Sequence, residues 1–512
     1  MTRTQRFLGG FTIGYVHMAV ATAVGLWLTP FLLMRLGADT YGLWLVGTQI
    51  VAYLLLMDLG IVALLPRETA YVTGRTGRTD SPELGTLVEQ AMTLAIAQMP
   101  LVLAAAIVAV WWLPPSWQPL RTPLIFVLGV FTATFPLRTF QATLTGLQDL
   151  PFVARVQFGA WTMGNVFTIV LVLNGFGLPA MAVGWCATQL CIVGACAARV
   201  SARFPAALPK RLTFAGATSA RAYFARSFWV AVSQTAQVLL NGTDLIIIGA
   251  LLGPAAVVPY ACTGKLIAVL ANQPQAILQS AAPALSELRH AEDRSRLFRV
   301  SAALSQATLA VSGLVACIVL GVNRGFISWW VGPEQFAGFG LTVLMLAAMM
   351  ARHFNTTNVY ALFCFGQERR LALTALADGI VTIGAGIVFI AAFGMTGGPL
   401  AALLAVLVVS IPLNLRALSS ATGVSRGELV ASLAPWAVRF LAVAVVLTVA
   451  GTLLHPASLA PLALAAGASA AIYTLAIASA MLESPAGVYL QPLLASASRR
   501  FTSTRLRPRW LS

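Results

Sequence analysis

Apolar runs long enough to cross a membrane recur along the whole chain. A helix crosses the roughly 30 Å hydrocarbon core of a bilayer with about 20 mostly apolar residues. Charged residues occupy 9% of the 512 positions, whereas about 25% is usual for soluble domains. The sequence therefore predicts an all-α integral membrane protein and excludes an ordinary soluble domain.

The hydropathy pattern predicts about 14 transmembrane helices. The twelfth is short, and the eighth contains Pro274, where a kink is expected. Their expected bounds are 11–34, 41–65, 88–113, 123–147, 152–173, 178–198, 228–252, 255–285, 300–322, 339–365, 371–393, 399–415, 429–454 and 459–482.

The distribution of positive charge supports this topology. With a cytoplasmic N-terminus, 25 of the 32 Lys and Arg residues fall in cytoplasmic segments or, in the case of Arg155, at the cytoplasmic end of a span. Only Arg35, Arg121 and Arg324 fall in outer connections. Such a bias is usual in membrane proteins. The net charge of +16 therefore indicates topology and attraction to anionic membrane lipids rather than nucleic acid. We expect a multi-pass protein of the bacterial cytoplasmic membrane with both termini in the cytoplasm.

The spans group into two lobes. Leu36-Gly37 and Leu252-Gly253 each end the first span of a six-span half, which indicates an internal repeat. A glycine after an apolar run is also an ordinary helix C-cap. The expected segments are an N-terminal lobe at 1–198, a basic cytoplasmic linker at 199–227, a C-terminal lobe at 228–415, two further spans within 416–482 and a basic cytoplasmic tail at 483–512.

Several kinds of chemistry find no support. The six cysteines lie in apolar runs without Cys-x-x-Cys spacing, and the four histidines are scattered, so we expect neither disulfides nor a metal site. No phosphate-binding glycine loop is present, so no cofactor is expected. The short outer connections argue against a membrane glycosyltransferase or polymerase, which would need catalytic residues on large loops.

Charged residues inside the spans are the main functional candidates, because each costs roughly 2.5–3.5 kcal/mol at mid-membrane. Arg352 lies deepest, in the tenth span, and Asn355 shares its helix face. Both are predicted to line a substrate cavity, the alternative being a hydrogen-bond network between helices. Arg138 in the fourth span either contacts substrate or extends to the cytoplasmic headgroups, and Arg439 in the thirteenth is expected to extend there.

The seventh and eighth spans carry a second set of candidates. Asp244 and Lys265 form either a structural ion pair or a gate, in which Lys265 contacts substrate and Asp244 is protonated. Gln234, Gln237 and Asn241 recur at intervals of three and four residues and so form one stripe. This stripe either contacts sugar hydroxyls or packs between helices.

Two further carboxylates are candidates for binding a coupling H⁺ or Na⁺. Asp58 lies near the inner end of the second span, and Asp378 lies in the eleventh. Because Asp58 precedes Leu59-Gly60, helix capping explains it equally well.

Five phrases, in this order and spacing, resemble the polysaccharide-biosynthesis flippases of the multidrug/oligosaccharidyl-lipid/polysaccharide exporter superfamily. The similarity extends to about Gly379. The phrases are LTPFLLMRLGADTYGLW (Leu28–Trp44), LMDLGIVALLPRETA (Leu56–Ala70), PLRTFQATLTGLQDLPFVARVQ (Pro136–Gln157), NGTDLIIIGALLGPAAVVPYACTGKL (Asn241–Leu266) and APALSEL (Ala282–Leu288).

The resemblance implies a V-shaped bundle of two six-helix lobes plus two C-terminal helices. It implies a transporter, not an enzyme, that moves an undecaprenyl-diphosphate-linked oligosaccharide from the inner to the outer leaflet by alternating access. The product would serve O-antigen (lipopolysaccharide) or exopolysaccharide synthesis, with polysaccharide polymerase machinery as a candidate partner. Two alternatives stay open: a cation-coupled multidrug exporter and a flippase for a lipid-linked peptidoglycan precursor.

Overall fold

The computed structural model describes residues 3–209, 217–240, 242–271, 274, 278, 294–423, 425–454, 456, 458–483 and 487. Within these residues the protein is all-α, with nineteen α-helices, short 3₁₀ turns and one π-helix, and no strand. The predicted fold class is confirmed in this respect. The chain divides by its internal contacts into two compact units, Met1–Val258 and Pro259–Ser512.

The first unit contains helices α1 to α9 and the start of α10. Their bounds are α1 (Arg3–Leu54), α2 (Ile61–Thr76), α3 (Pro82–Trp111), α4 (Gln118–Thr134), α5 (Arg138–Gly146), α6 (Leu150–Leu173), α7 (Leu178–Arg203), α8 (Ala217–Leu240), α9 (Thr243–Leu251) and α10 (Pro254–Thr263).

The second unit contains the remaining helices, with a π-helix (Val406–Ser410) joining α15 to α16. The bounds are α11 (Lys265–Leu270), α12 (Arg294–Trp330), α13 (Phe339–Cys364), α14 (Glu368–Phe393), α15 (Gly397–Ala405), α16 (Ile411–Thr422), α17 (Arg426–Ala431), α18 (Ala434–Leu453) and α19 (Leu459–Glu483).

Eight helical stretches in the described residues are long and apolar enough to cross a membrane, or nine if the bent pair Pro115–Thr134 and Arg138–Gly146 is one span. Val16–Asp58 covers two predicted spans, with a break at Gly37 (φ 79°), and Glu368–Thr422 also covers two. Predicted spans seven, eight and ten are not among these stretches. The protein is a multi-pass membrane protein, and the count of 14 stays a prediction.

The first two helices of the predicted C-terminal lobe belong, by their contacts, to the first unit. Helices α8 and α9, which form predicted span seven, contact α2 and α1 of the first unit. They are also separated from each other by a break at Gly242 (φ 92°) instead of forming one continuous helix. The contact boundary at Val258 therefore differs from the predicted linker at 199–227, and the membrane lobes themselves stay a prediction.

Packing in the first unit depends on a close approach of α6 and α7. A Cβ atom on Gly164 would lie 2.6 Å from the Gly184 carbonyl oxygen, and a Cβ on Gly184 would lie 2.6 Å from that of Gly164. Small residues allow membrane helices to pack this closely, because no bulky side chain separates their backbones. Such packing contributes strongly to helix association in a membrane, where lipid tails provide little hydrophobic drive. A further core joins α3, α5 and α7 through the buried Leu84, Leu144 and Val200.

Helix α12 is the centre of the second unit and packs against α13, α18 and α19. Tyr473 of α19 donates its hydroxyl to the Ala310 carbonyl of α12 at 2.6 Å and accepts the indole N–H of Trp436 at 3.1 Å. These bonds satisfy the polar atoms of two buried aromatic residues, which lipid could not do. The opposite face of α18 exposes Val438, Leu441 and other apolar side chains, as a lipid-facing helix should.

Candidate functional site

The deepest predicted charge has an acidic partner on the adjacent helix. Arg352 of α13 places its Nη2 3.5 Å from Oδ1 of Asp378 on α14. The Asp378 side chain is 1% exposed, whereas that of Arg352 is 25% exposed. A buried carboxylate requires charge compensation and hydrogen bonds, and Arg352 supplies the charge. The sequence identified both residues, but it did not predict that they pair.

Two hydroxyl groups complete the surroundings of the Asp378 carboxylate. Thr382, one turn further along α14, donates to Oδ1 at 3.1 Å, and Ser410 donates to Oδ2. Ser410 is the last residue of the π-helix between α15 and α16. A π-helix is a local widening of the helical turn that often occurs at functional sites. Here it accompanies a serine that faces the buried acid.

An asparagine pair extends this polar region. Asn414 of α16 donates its Nδ2 to Oδ1 of Asn355 at 2.8 Å. The Oδ1 atom of Asn414 is buried and has no partner in the described residues. We use the name Asp378 cluster for Arg352, Asn355, Asp378, Thr382, Ser410 and Asn414. It is drawn from α13, α14, the π-helix and α16.

The other face of α13 forms an interhelical polar seam. His353 Nδ1 lies 2.8 Å from the Ser312 hydroxyl of α12, and the Thr357 hydroxyl lies 2.9 Å from that of Ser305. The polar residues that the sequence places after Arg352 therefore divide between two faces. Both faces make contacts between helices, and the face of Arg352 and Asn355 carries the Asp378 cluster. Whether Arg352 and Asn355 line a substrate cavity or serve only an interhelical network stays a prediction.

The first unit contains a second carboxylate and arginine. Asp58 is 3% exposed and lies in the break between α1 and α2, where Leu59 and Gly60 adopt left-handed backbone conformations. Its Oδ1 accepts the Val62 N–H at 2.7 Å, and its Oδ2 accepts the Ala63 N–H at 3.3 Å. These amides belong to the first turn of α2, where anions are favoured. The capping interpretation of Asp58 matches this geometry.

Arg138 begins α5, directly after the bend of 54° that follows α4. It interacts favourably with the charge of Asp58, and its guanidinium carbon lies 5.8 Å from the centre of the Phe131 ring. Its Nη1 is buried and has no hydrogen-bond partner in the part of the chain that the structure describes. Arg138 thus lies within the protein, against Phe131.

The remaining predicted residues are spread over both units. Asp244 lies in the first turn of α9 in the first unit, and its Oδ1 accepts the Leu245 N–H at 3.0 Å. Lys265 begins α11 in the second unit and is half-buried. Whether Asp244 and Lys265 pair or act as a gate therefore stays a prediction.

The predicted polar stripe is only partly described. Gln234 is half-buried, with its Oε1 inaccessible and without a partner in the described residues. Gln237 is exposed on the same helix, α8. Asn241 lies outside the described residues. The role of the stripe stays a prediction.

Sequence reasoning missed Thr382, Ser410 and Asn414. A signal for the last two was present, because Ser410 and Asn414 are four residues apart in an otherwise apolar segment and so share a helix face. The described residues contain no group of three His, Cys, Asp or Glu side chains able to hold a metal ion.

Residues 96–320 match the sequence model of a family described as polysaccharide biosynthesis protein. Of the five phrases, the last three fall within this stretch and the first two precede it. No curated protein matches the chain in sequence. A solved structure titled "Lipid II flippase MurJ, inward closed conformation" is similar, with a TM-score of 0.63 at 10% identity over 91% of this chain and 99% of that one.

Two other solved structures are more distantly similar. An inward-facing multidrug resistance MATE family transporter of the MOP superfamily gives a TM-score of 0.49 at 14% identity, over 82% of this chain and 99% of that one. A MOP superfamily transporter from Pyrococcus furiosus gives 0.48 at 12% identity, over 83% and 98%.

The fold and its buried charges define an all-α, multi-pass membrane protein with the fold of a lipid flippase. Within that class, the match over residues 96–320 confirms the predicted resemblance to the polysaccharide-biosynthesis proteins.

Proposed function

We propose that the protein flips an undecaprenyl-diphosphate-linked oligosaccharide from the inner to the outer leaflet, for the synthesis of a surface polysaccharide such as O-antigen or exopolysaccharide. The family match over residues 96–320 supports the polysaccharide context. The similarity to the solved lipid II flippase supports a fold suited to moving a lipid-linked sugar. A transporter of this kind needs no catalytic residues and no cofactor.

The observation that carries the proposal is the pairing of Arg352 with Asp378. The contact joins one guanidinium nitrogen to one carboxylate oxygen at 3.5 Å, longer than a close charge-assisted hydrogen bond of about 2.7–2.9 Å. A guanidinium has five N–H donors in a fork that matches phosphate oxygens. Arg352 can therefore bind a diphosphate more closely than it binds Asp378 in this structure.

The proposed cycle exchanges the partners of Arg352. When the diphosphate binds Arg352, Asp378 loses its compensating charge but keeps the hydroxyls of Ser410 and Thr382. A proton or Na⁺ bound at Asp378 would then restore neutrality, which would couple substrate movement to an ion gradient. Asn355 and the exposed Gln237 are proposed to contact sugar hydroxyls. Lys265 and Asp244 are proposed to open or close the path.

The surroundings of the protein follow from the same proposal. Both termini lie in the cytoplasm, the basic linker and tail contact anionic lipids of the inner membrane, and nucleic acid is not a ligand. Polysaccharide polymerase machinery would receive the flipped oligosaccharide on the other side.

The test is a flipping assay with the full-length protein in liposomes that contain a fluorescent undecaprenyl-diphosphate oligosaccharide. Loss of inner-leaflet label measures transport. We expect Arg352→Ala to reduce the initial rate by about two orders of magnitude, since it removes a charged contact, and Arg352→Lys to retain part of the rate. Arg439→Gln is the matched control, a membrane arginine on α18 outside the Asp378 cluster. Equal rates for Arg352→Ala and wild type would refute the site.

A second candidate is a flippase for a lipid-linked peptidoglycan precursor, which the similarity to the lipid II flippase favours. Both substrates share the diphosphate, so the same liposomes loaded with fluorescent lipid II separate the two functions. Faster flipping of lipid II than of the oligosaccharide lipid would favour the alternative. A multidrug exporter would instead transport cationic dyes, and Arg352 makes that less favourable through like-charge repulsion.

A further inference from the structure

A cavity of about 500 Å³ lies in the second unit, at the C-terminal end of α12. Arg324 and Ser328 line one side, Phe336 and Phe339 line another, and Pro456 closes it between α18 and α19. Its volume falls within the roughly 300–1,000 Å³ range of small-molecule sites. We call it the Arg324 pocket. It lies at the opposite end of α13 from Asn355 and is separate from the Asp378 cluster.

The aromatic residues around Arg324 place this pocket at the edge of the hydrocarbon core. Phe326, Trp329 and Trp330 follow Arg324 on α12, and the rings of Phe326 and Trp330 stack with centres 5.3 Å apart. Trp329 is 43% exposed. Tryptophan concentrates at the membrane–water interface, where lipid headgroups lie. The exposed Trp329 therefore favours headgroup depth for the pocket, on the side that the sequence predicts to be outside.

The chemistry of the lining suits an amphiphile with a phosphate. Arg324 is the only charged side chain among the described lining residues. Its Nη1 donates to the Thr452 carbonyl at a long 3.4 Å, and the rest of its five donors have no hydrogen-bond partner among the described residues. Glu334 is exposed on the neighbouring turn and is not part of the lining. Among the described lining residues, no carboxylate therefore neutralises the cation.

The walls exclude the other ligands that Arg324 could bind. A free sugar needs many hydrogen-bond partners, but Ser328 already donates its hydroxyl to the Arg324 carbonyl at 2.8 Å, and the side chains of the Phe and Pro residues offer none. A free phosphate would leave the aromatic wall uncovered. A phospholipid satisfies both parts, because its phosphate meets the guanidinium and the start of its acyl chains covers Phe336 and Phe339.

We propose that the Arg324 pocket binds the phosphate headgroup of a phospholipid from the surrounding leaflet, as a resident lipid between the end of α12 and Pro456. This inference does not depend on the substrate that is flipped.

Native mass spectrometry of the full-length protein, titrated with phosphatidylglycerol in detergent, tests the proposal. We expect Arg324→Ala to bind one phosphatidylglycerol molecule about tenfold more weakly than wild type, because a charge-assisted contact is lost. Arg324→Lys should retain part of the affinity. Arg121→Ala, an exposed arginine that is also predicted to be on the outer side, should bind like wild type. Equal binding by Arg324→Ala and wild type would refute the proposal.

A second variant distinguishes binding inside the pocket from simple attraction to the charge of Arg324. Ser328→Phe keeps Arg324 but fills the cavity, and it should weaken phosphatidylglycerol binding as much as Arg324→Ala does. Retained binding would show that the lipid lies elsewhere. Two further ligands test the chemistry: diacylglycerol, which lacks phosphate, and glycerol 3-phosphate, which lacks acyl chains, should each bind at least tenfold more weakly than phosphatidylglycerol. Equal binding of either one would overturn the assignment to a phospholipid headgroup.

Discussion

The two units each bury an aspartate near an arginine, but they stabilise the carboxylate by different means. Asp58 in the first unit is held by backbone amides of Val62 and Ala63, at the first turn of α2. Asp378 in the second unit is held by the side chains of Arg352, Ser410 and Thr382. Backbone amides at a helix terminus are fixed by the fold, whereas three side chains can each change partner.

The kind of donor, backbone or side chain, distinguishes an aspartate with a structural role from a candidate for coupling transport to an ion gradient. Asp58 fixes the break between α1 and α2, and protonating it would weaken the hydrogen bonds from two amides without releasing a charged partner bonded to it. Protonating Asp378 would release Arg352, the one strong charge partner bonded to its carboxylate in the described residues. Between Asp58 and Asp378, we therefore propose Asp378 as the coupling residue, whereas the contacts of Asp58 are those of a helix cap.

The largest effect is expected for Asp378→Leu. The change leaves Arg352 without its counter-ion in a membrane segment, and breaking a buried ion pair costs roughly 3–5 kcal/mol. Because Arg352 is partly exposed, we expect about 3 kcal/mol, measured as a loss of thermal stability in detergent. Flipping in liposomes should be abolished.

The double variant Arg352→Met/Asp378→Leu provides the matched control. Replacing both charges with apolar groups should restore most of the stability, but it should not restore flipping, because the diphosphate contact is gone. A double variant that flips at the wild-type rate would show that the pair is structural only.

Asp58→Ala should have the next largest effect on stability. It removes the acceptor of two first-turn amides, and losing a helix cap costs about 1–2 kcal/mol. Asp58→Asn should cost less, because the amide oxygen still accepts one bond. The decisive measurement is the pH dependence of flipping, which should be the same in Asp58→Asn and wild type but altered in Asp378→Asn. An altered profile in Asp58→Asn alone would reverse the roles assigned to the two acids.

Ser410→Ala tests whether the π-helix serves the carboxylate. Removing a hydrogen bond to a charged group costs about 1.5 kcal/mol, so thermal stability should fall by about half as much as in Asp378→Leu. Flipping should be slowed but not lost, since Arg352 and Thr382 remain. Ser469→Ala is the control, because its hydroxyl donates to the Ala465 carbonyl of its own helix and to no other group in the described residues. Equal effects of the two substitutions would show that Ser410 has no special role at Asp378.

The sequence predicted the features of this site that depend on neighbouring residues, but not those that depend on contacts between residues far apart in the chain. Local features were predictable: the cap at Asp58 follows from the adjacent Leu59-Gly60, and the depth of Arg352 follows from its place in an apolar run. The Arg352–Asp378 contact depends on how α13 crosses α14, and Ser410 reaches Asp378 where the backbone forms a π-helix. Neither is encoded in residue spacing. The break at Gly242 did have a local signal, the Asn241-Gly242 dipeptide, which is typical of turns.

The smallest effect is expected at an acid–arginine pair outside the membrane, Arg78 and Asp80, in the turn between α2 and α3. Arg78 donates two bonds to Asp80 at 2.9 Å, and these bonds, with the positive charge, hold the pKa of the Asp80 carboxyl below its usual value. Any stability from the pair is therefore present above the usual aspartate pKa and is lost as the pH falls through the lowered value.

Asp80→Asn should nevertheless leave the Tm at pH 7 unchanged, since the side chains are 70% and 63% exposed and solvent screens the pair. Flipping and its pH dependence should also match wild type, so this variant sets the baseline for Asp58→Asn and Asp378→Asn. A drop in Tm as large as that of Asp58→Asn would mean that solvent exposure does not determine how much each aspartate contributes to stability. The difference between Asp58 and Asp378 would then depend on whether backbone or side-chain donors bind the carboxylate.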